Sequence, residues 1–164
     1  QGTIGHELLE QIPNLGAVFV AIGGGGLISG IGGYLKARDP NIQIIGCSPA
    51  ASPAMHACLE AGKIIDVPCR DTLSDATAGG VEPGAITFET CQQVVDRSIL
   101  VGEADIAAAV RDIVETHHML IEGAAGVAVA GYRAVASEFE GVNTAIVLCG
   151  ANISKRALLQ VIST

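Results

Sequence analysis

Tryptophan is missing from the 164-residue sequence, and three Phe with two Tyr bring the aromatic share to only 3%. A core without large rings has to be packed from Val, Ile, Leu and Ala, the composition of sheets buried on both faces. Cations are scarce as well: nine Lys and Arg stand against seventeen Asp and Glu, a formal net charge of −8. They are scattered along the chain, which excludes a nucleic-acid-binding face, since such a face needs clustered Lys and Arg. No apolar run is long enough to cross a membrane, because Gly and charged residues interrupt each candidate. No signal-peptide pattern is visible, and the chain opens at Gln1 rather than Met. Cys47, Cys58, Cys69, Cys91 and Cys149 form no C-x-x-C pair. Their odd count and irregular spacing argue against a disulfide framework and fit a reduced, cytoplasmic setting. His6, His56, His117 and His118 lack the spacing of a metal site and read as surface or helix-packing residues.

What is present is apolar sequence and glycine. Apolar residues make up 49% of the chain, enough for the core of one domain, and 21 glycines cluster at the predicted ends of elements. The periodicity predicts helices over residues 3–12, 26–38, 84–95, 103–118 and 124–138, a helix opened by Ser52-Pro53 and closed by Gly62, and a short helix at the end. Buried strands are predicted over 17–22, 42–47, 98–101 and 145–148, with a short one at 64–67. Residues 68–83 carry Pro68, Gly79, Gly80 and Pro83 and read as a loop. Strands that alternate with helices and are apolar throughout predict an α/β fold, with a mostly parallel sheet and helices on both faces. Ligands of such sheets bind at the carboxyl ends of strands. Both the glycine run after the first strand and the Cys149-Gly150 turn after the last meet that condition.

The run is Gly23-Gly24-Gly25-Gly26, placed between the apolar stretch 17–22 and the helix that follows. A turn without side chains lets a ligand approach the main chain, and several N–H groups there can point the same way. The helix N-terminus behind them adds partial positive charge, so the arrangement suits a phosphate. A P-loop would need Gly-Lys-Ser/Thr after its glycines, and Leu27-Ile28 stand there instead. A dinucleotide fingerprint would need G-x-G-x-x-G, but the sixth position is Ile28 or Ser29. What remains is a backbone cradle for one phosphate without a metal. The plain alternative is a packing turn where helix and strand approach closely.

At this point the residues match a known pattern. Val20-Ala21-Ile22-Gly23-Gly24-Gly25-Gly26-Leu27 resembles the phosphate-binding loop of pyridoxal-phosphate enzymes of the tryptophan synthase β-like fold, in the threonine/serine dehydratase and serine racemase family. The opening Gln1-Gly2-Thr3-Ile4 resembles the segment before that loop, and Gly80-Val81 a Gly-Val at the site edge. Ile121-Glu122-Gly123-Ala124-Ala125-Gly126 resembles the family's Glu-containing turn, where Pro often replaces Gly123. Val147-Leu148-Cys149-Gly150-Ala151-Asn152 resembles the segment that holds the pyridine nitrogen. The resemblance implies a three-layer α/β/α cofactor-binding lobe. Gly23, Gly24, Gly25, Gly26 and Leu27 would cradle the phosphate of pyridoxal 5′-phosphate, and Gly80 would lie at the site edge. Cys149 would face the ring nitrogen, where a neutral thiol permits an unprotonated ring. Glu122 would join the cofactor's hydrogen-bond network. Asn152 would cap the last helix or orient the site; read plainly, Cys149 is a small buried hydrophobe and Glu122 a helix N-terminal acid.

Two departures shape the expectation. The family's Schiff-base lysine lies in a Ser-x-Lys segment, and none of Lys36, Lys63 and Lys155 has that context. Residues 1–164 are therefore expected to form a single C-terminal lobe, lacking an N-terminal half that carries the lysine, and to be inactive alone. Some relatives bind a divalent cation after the second strand through a carboxylate next to Pro; Ser48 precedes Pro49 here, and no carboxylate follows nearby, so no metal is expected. The intact protein is expected to be a dehydratase that removes water and ammonia from L-threonine, L-serine or a related 3-hydroxy amino acid, and to form a homo-oligomer, on analogy a dimer. An amino-acid racemase on the same scaffold and a non-catalytic phosphate-ligand binding module remain the alternatives.

Overall fold

The computed structural model describes residues 1–163. The chain runs α1 (Gly2–Gln11), β1 (Leu15–Ala21), α2 (Gly26–Arg38), β2 (Gln43–Pro49), α3 (Ala54–Ala61), α4 (Ile86–Val94) and β3 (Arg97–Val101). It continues through α5 (Glu103–His117), α6 (Gly123–Val135), β4 (Asn143–Ile146) and α7 (Lys155–Ile162), with 3-10 turns at Asp75–Thr77 and Ala136–Phe139. All strand pairs are parallel, and the sheet order is β3-β2-β1-β4.

β1 explains why a core without tryptophan suffices. Val18, Phe19 and Val20 are fully buried. Side chains alternate across a strand, so Val18, Val20 and Ile22 enter one core with α2, α3 and α4, including Ile28, Ile31, Met55 and Phe88. Ala17, Phe19 and Ala21 enter a second core with α5 and α6, including Ile106, Val127 and Ala130. The result is three layers, α/β/α. Three of the five aromatics meet in the second core, where Phe19 touches Tyr132 and Phe139 edge-on at 5.3 and 5.2 Å between ring centroids.

Three local expectations are corrected. Residues 64–67 form no strand: the N–H of Ile65 donates to Cys58 Sγ at 3.4 Å, and Ile64 and Ile65 only pack against the first core. Their apolar run is satisfied by contact with α3 rather than by a ladder. The last strand begins and ends two residues earlier than predicted, at Asn143–Ile146, although Val147 N–H still donates to the Phe19 carbonyl at 3.0 Å. The helix predicted to reach residue 138 ends at Val135 and tightens into the 3-10 turn.

The strand order positions the site. β1 crosses through α2 to β2 on one side, while β4 is laid against β1 on the other. The order reverses at β1, so a crevice opens between the carboxyl ends of β1 and β4, the place where open α/β sheets hold ligands. The glycine run follows β1, and Cys149 follows β4.

Candidate functional site

The four glycines have two different jobs. A Cβ on Gly23 would stand 2.9 Å from Thr77 Cα, so the segment around the 3-10 turn packs directly on it. Gly25 has a left-handed backbone, φ 84°, and a Cβ there would stand 2.8 Å from Cys91 Sγ and 3.0 Å from Met55 Cε. These two glycines are required by packing. Gly24 and Gly26 are not: a Cβ on either would meet no atom within 4 Å. Both instead border a cavity of about 230 Å³. Gly25 is the N-cap of α2 and offers no side-chain acceptor, so the first-turn N–H groups are left without a side-chain cap.

Across the cavity stand Glu122, Ala124 and Cys149, with Ala76 and Thr77 on another wall. Glu122 is the N-cap of α6 and is 9% exposed. Its side chain does not cap its own helix; Oε2 accepts the Asn152 N–H at 2.8 Å. Its main-chain N–H donates to the Gly150 carbonyl at 3.0 Å. A Cβ on Gly150 would run into the Glu122 carboxylate. The carboxylate thus ties the 149–152 turn to the start of α6. Burial pushes the Cys149 thiol above its ordinary 9.0, a hydrogen bond to the backbone opposes that, and the nearby Glu122 charge adds to it. Cys149 is therefore a neutral thiol at neutral pH.

The fold brings Gly23, Gly24, Gly25, Gly26, Leu27, Glu122 and Cys149 around one cavity. Gly80 stands apart, in the loop before α4, and lines no part of it. Asn152 is not the cap of α7: Ser154 is, its Oγ accepting the Ala157 N–H at 3.1 Å. Sequence reasoning missed Ala76 and Thr77, which sit in a stretch without periodicity. Glu103 holds that stretch from the first turn of α5, accepting from Thr72 Oγ1 at 2.6 Å and Leu73 N–H at 2.7 Å. No lysine lines the cavity. Lys36 lies in the last turn of α2, the end away from the glycines, and pairs with Asp96 at 2.7 Å.

A larger cavity of about 670 Å³ lies between α5, α7 and residues 71–75. Its walls mix Asp71, Asp75 and Glu103 with Arg111 and Arg156, and none of the expected residues borders it. All the expected site residues but Gly80 border the smaller cavity instead, which lies under the roughly 300 Å³ at which small-molecule sites begin. Two open glycines at a helix N-terminus leave room of a kind that suits an anion, and a thiol raised above its ordinary pKa stands on the opposite wall. The residues present fit the phosphate end of a pyridoxal-phosphate site.

Fold and site together define an α/β lobe with a glycine-lined cavity at its switch point. The chain belongs to the family described as pyridoxal-phosphate dependent enzyme, whose model matches residues 1–150. It is 40% identical over 164 residues to an L-threonine ammonia-lyase of Geobacter sulfurreducens, covering 99% of this chain and 40% of the relative. It is 40% identical over 136 residues to the mitochondrial threonine dehydratase of Saccharomyces cerevisiae, covering 81% of this chain and 23% of the relative. The solved processed form of threonine deaminase isoform 2 from Solanum lycopersicum superposes with a TM-score of 0.90 at 32% identity, over 99% of this chain and 48% of that one. The lobe is thus of the tryptophan synthase β-like kind.

The chain spans less than half the length of the curated relatives it matches. These matches correct the expectation of a C-terminal half partnered by a missing N-terminal half: the chain corresponds to the N-terminal catalytic domain of larger proteins. The error has a physical source. Motif order records how elements follow one another inside a lobe and says nothing of what flanks the lobe in a longer chain.

Proposed function

We propose that the protein is a pyridoxal-phosphate-dependent ammonia-lyase that eliminates water from L-threonine, L-serine or a related 3-hydroxy amino acid; the resulting enamine then takes up one water on hydrolysis, giving a 2-keto acid and ammonia. The observation that carries this reading is the pairing of Gly24 and Gly26, open toward the cavity, with Cys149 and Glu122 on its far wall. Relatives named threonine ammonia-lyase and threonine dehydratase support it.

When bound, pyridoxal phosphate supplies an electron sink for the pair released at the substrate's α-carbon. Gly24, Gly25 and Gly26 would hold its phosphate through main-chain N–H groups, aided by the α2 N-terminus. Cys149, kept neutral by burial, would give the ring nitrogen no negative partner. That weak setting suits elimination, in which the departing hydroxyl takes electron density with it. Glu122 holds the 149–152 turn and so keeps Cys149 in place. Ala76 and Thr77 form a further wall of the cavity.

A reducing, cytoplasmic setting belongs to the same reading; it is supported by five free thiols. Among the described residues no helix is long and apolar enough to cross a membrane. The test is production of 2-ketobutyrate from L-threonine, or pyruvate from L-serine, by the full-length protein with added cofactor. A protein that binds pyridoxal phosphate but releases no keto acid from either would refute the elimination, and one that binds none would refute the site.

A further inference from the structure

The glycine loop has a front that opens on the cavity and a back that rests on α4. At the back, Thr87 Oγ1 donates to the Gly24 carbonyl at 2.6 Å. The Gly25 carbonyl accepts the Ser29 N–H at 2.9 Å and the Cys91 thiol at 3.8 Å. Ser29 Oγ links these groups, lying 3.4 Å from Cys91 Sγ and donating to the Thr87 carbonyl at 3.4 Å. Two helices thus grip the loop by its carbonyl oxygens.

This grip sets the direction of the amides. No cis peptide occurs among the described residues, so the C=O of Gly24 and the N–H of Gly25 point in opposite directions. Holding the Gly24 carbonyl toward α4 turns the Gly25 N–H away from α4. Phe88 and Cys91 of α4 pack on the β1 face that carries Val18 and Val20, while Val127 and Ala130 of α6 pack on the opposite face. Away from α4 is therefore toward α6, whose Ala124 borders the cavity. A Gly-Gly peptide has little steric resistance to flipping. Flipped, it would present a carbonyl oxygen to the cavity and repel an anion.

We propose that Thr87 is a positioning residue for anion binding: its hydroxyl locks the Gly24–Gly25 peptide in the orientation that aims an N–H at the cavity. The proposal rests on reading the loop as a phosphate cradle, and it adds a residue that does not itself touch the ligand. It predicts selectivity, because the lock acts on the phosphate and not on the ring.

The test uses the full-length protein with pyridoxal 5′-phosphate and pyridoxal as paired ligands, each Kd measured by calorimetry. For Thr87→Val, which removes the donor and keeps the shape, pyridoxal phosphate binding should weaken about tenfold while pyridoxal binding changes less than about twofold. Thr87→Ser, which restores the hydroxyl, should return the wild-type ratio. An equal loss for both ligands, or a wild-type ratio in Thr87→Val, would overturn the proposal. If Thr87→Val does not fold, the smaller Thr87→Ala carries the same prediction; failure of both to fold while Thr87→Ser folds would make Thr87 structural and overturn it too. A wild type without preference for the phosphorylated ligand would instead sink the cradle reading, a failure visible before any variant is made.

Discussion

Replacing Gly25 by Ala separates what the glycine run does for the fold from what it does for a ligand. An L-residue held at φ 84° costs about 1–2 kcal/mol. The new Cβ would also stand 2.8 Å from Cys91 Sγ and 3.0 Å from Met55 Cε, both fully or nearly fully buried, and overpacking of that kind costs about 1–3 kcal/mol. Gly25→Ala should therefore lose about 2–5 kcal/mol. Gly24→Ala, one residue earlier, has no positive φ and meets nothing within 4 Å. Its stability should be unchanged or raised by up to about 1 kcal/mol, since alanine restricts the unfolded chain. Urea unfolding of the cofactor-free protein, followed by far-ultraviolet circular dichroism, gives both values. Trimming the obstacle in Gly25→Ala/Cys91→Ala should cost less than the sum of the two single changes, because the clash is shared. Gly24→Ala should nonetheless weaken pyridoxal phosphate binding, as its methyl group occupies the cradle. Equal stabilities for Gly24→Ala and Gly25→Ala, or strict additivity in the double variant, would refute the division of labour.

Other predictions follow from the same contacts. Gly33→Ala, mid-helix in α2 with open space around it, should stabilise by about 0.5–1 kcal/mol, whereas Gly131→Ala, whose Cβ would drive α6 into Cys47, should destabilise by about 1–3 kcal/mol; chemical denaturation checks both. Gly123→Ala would run into the Leu73 carbonyl and should displace residues 72–77, seen as faster proteolytic cleavage there with weaker cofactor binding; an unchanged cleavage pattern would refute the close packing. Burial pushes the Cys47 thiol up from 9.0 to about 12. The unfolded chain then holds fewer protons than the folded one between those values, so stability should fall there by about 1.4 kcal/mol per pH unit from this group. Cys47→Ala should remove that slope; a wild-type slope in the variant would place the loss elsewhere. Glu122→Gln removes a charge that opposes the Cys149 thiolate, so alkylation of Cys149 at fixed alkaline pH should quicken, though burial will still keep it slow.

The local elements were legible because their cause is local. The apolar stretch 17–22, the glycine stop and the periodic run to Arg38 dictate strand, turn and helix in that order, and their observed bounds differ by no more than two residues. The glycine-lined turn was legible for the same reason, as a run of glycines ahead of a helix is written in consecutive residues. The apolar residues 64–67 misled because a short apolar run serves equally as a strand or as a patch that rests on a neighbouring helix.

The sequence by itself determined the alternation of strands and helices, the placement of an amide-lined turn at a strand end, and the family to which these motifs belong. Tertiary structure alone decided which glycines are packing positions and which open on the cavity, since that depends on Thr77, Cys91 and Met55, distant in sequence. It also decided that Glu122 reaches Asn152 instead of capping α6, that Gly80 stays outside the cavity, and that Thr87 aims the loop from behind. Each of these is a contact between elements brought together by parallel pairing of β1 with its neighbours, and a linear pattern holds no record of which side chains such pairing makes adjacent.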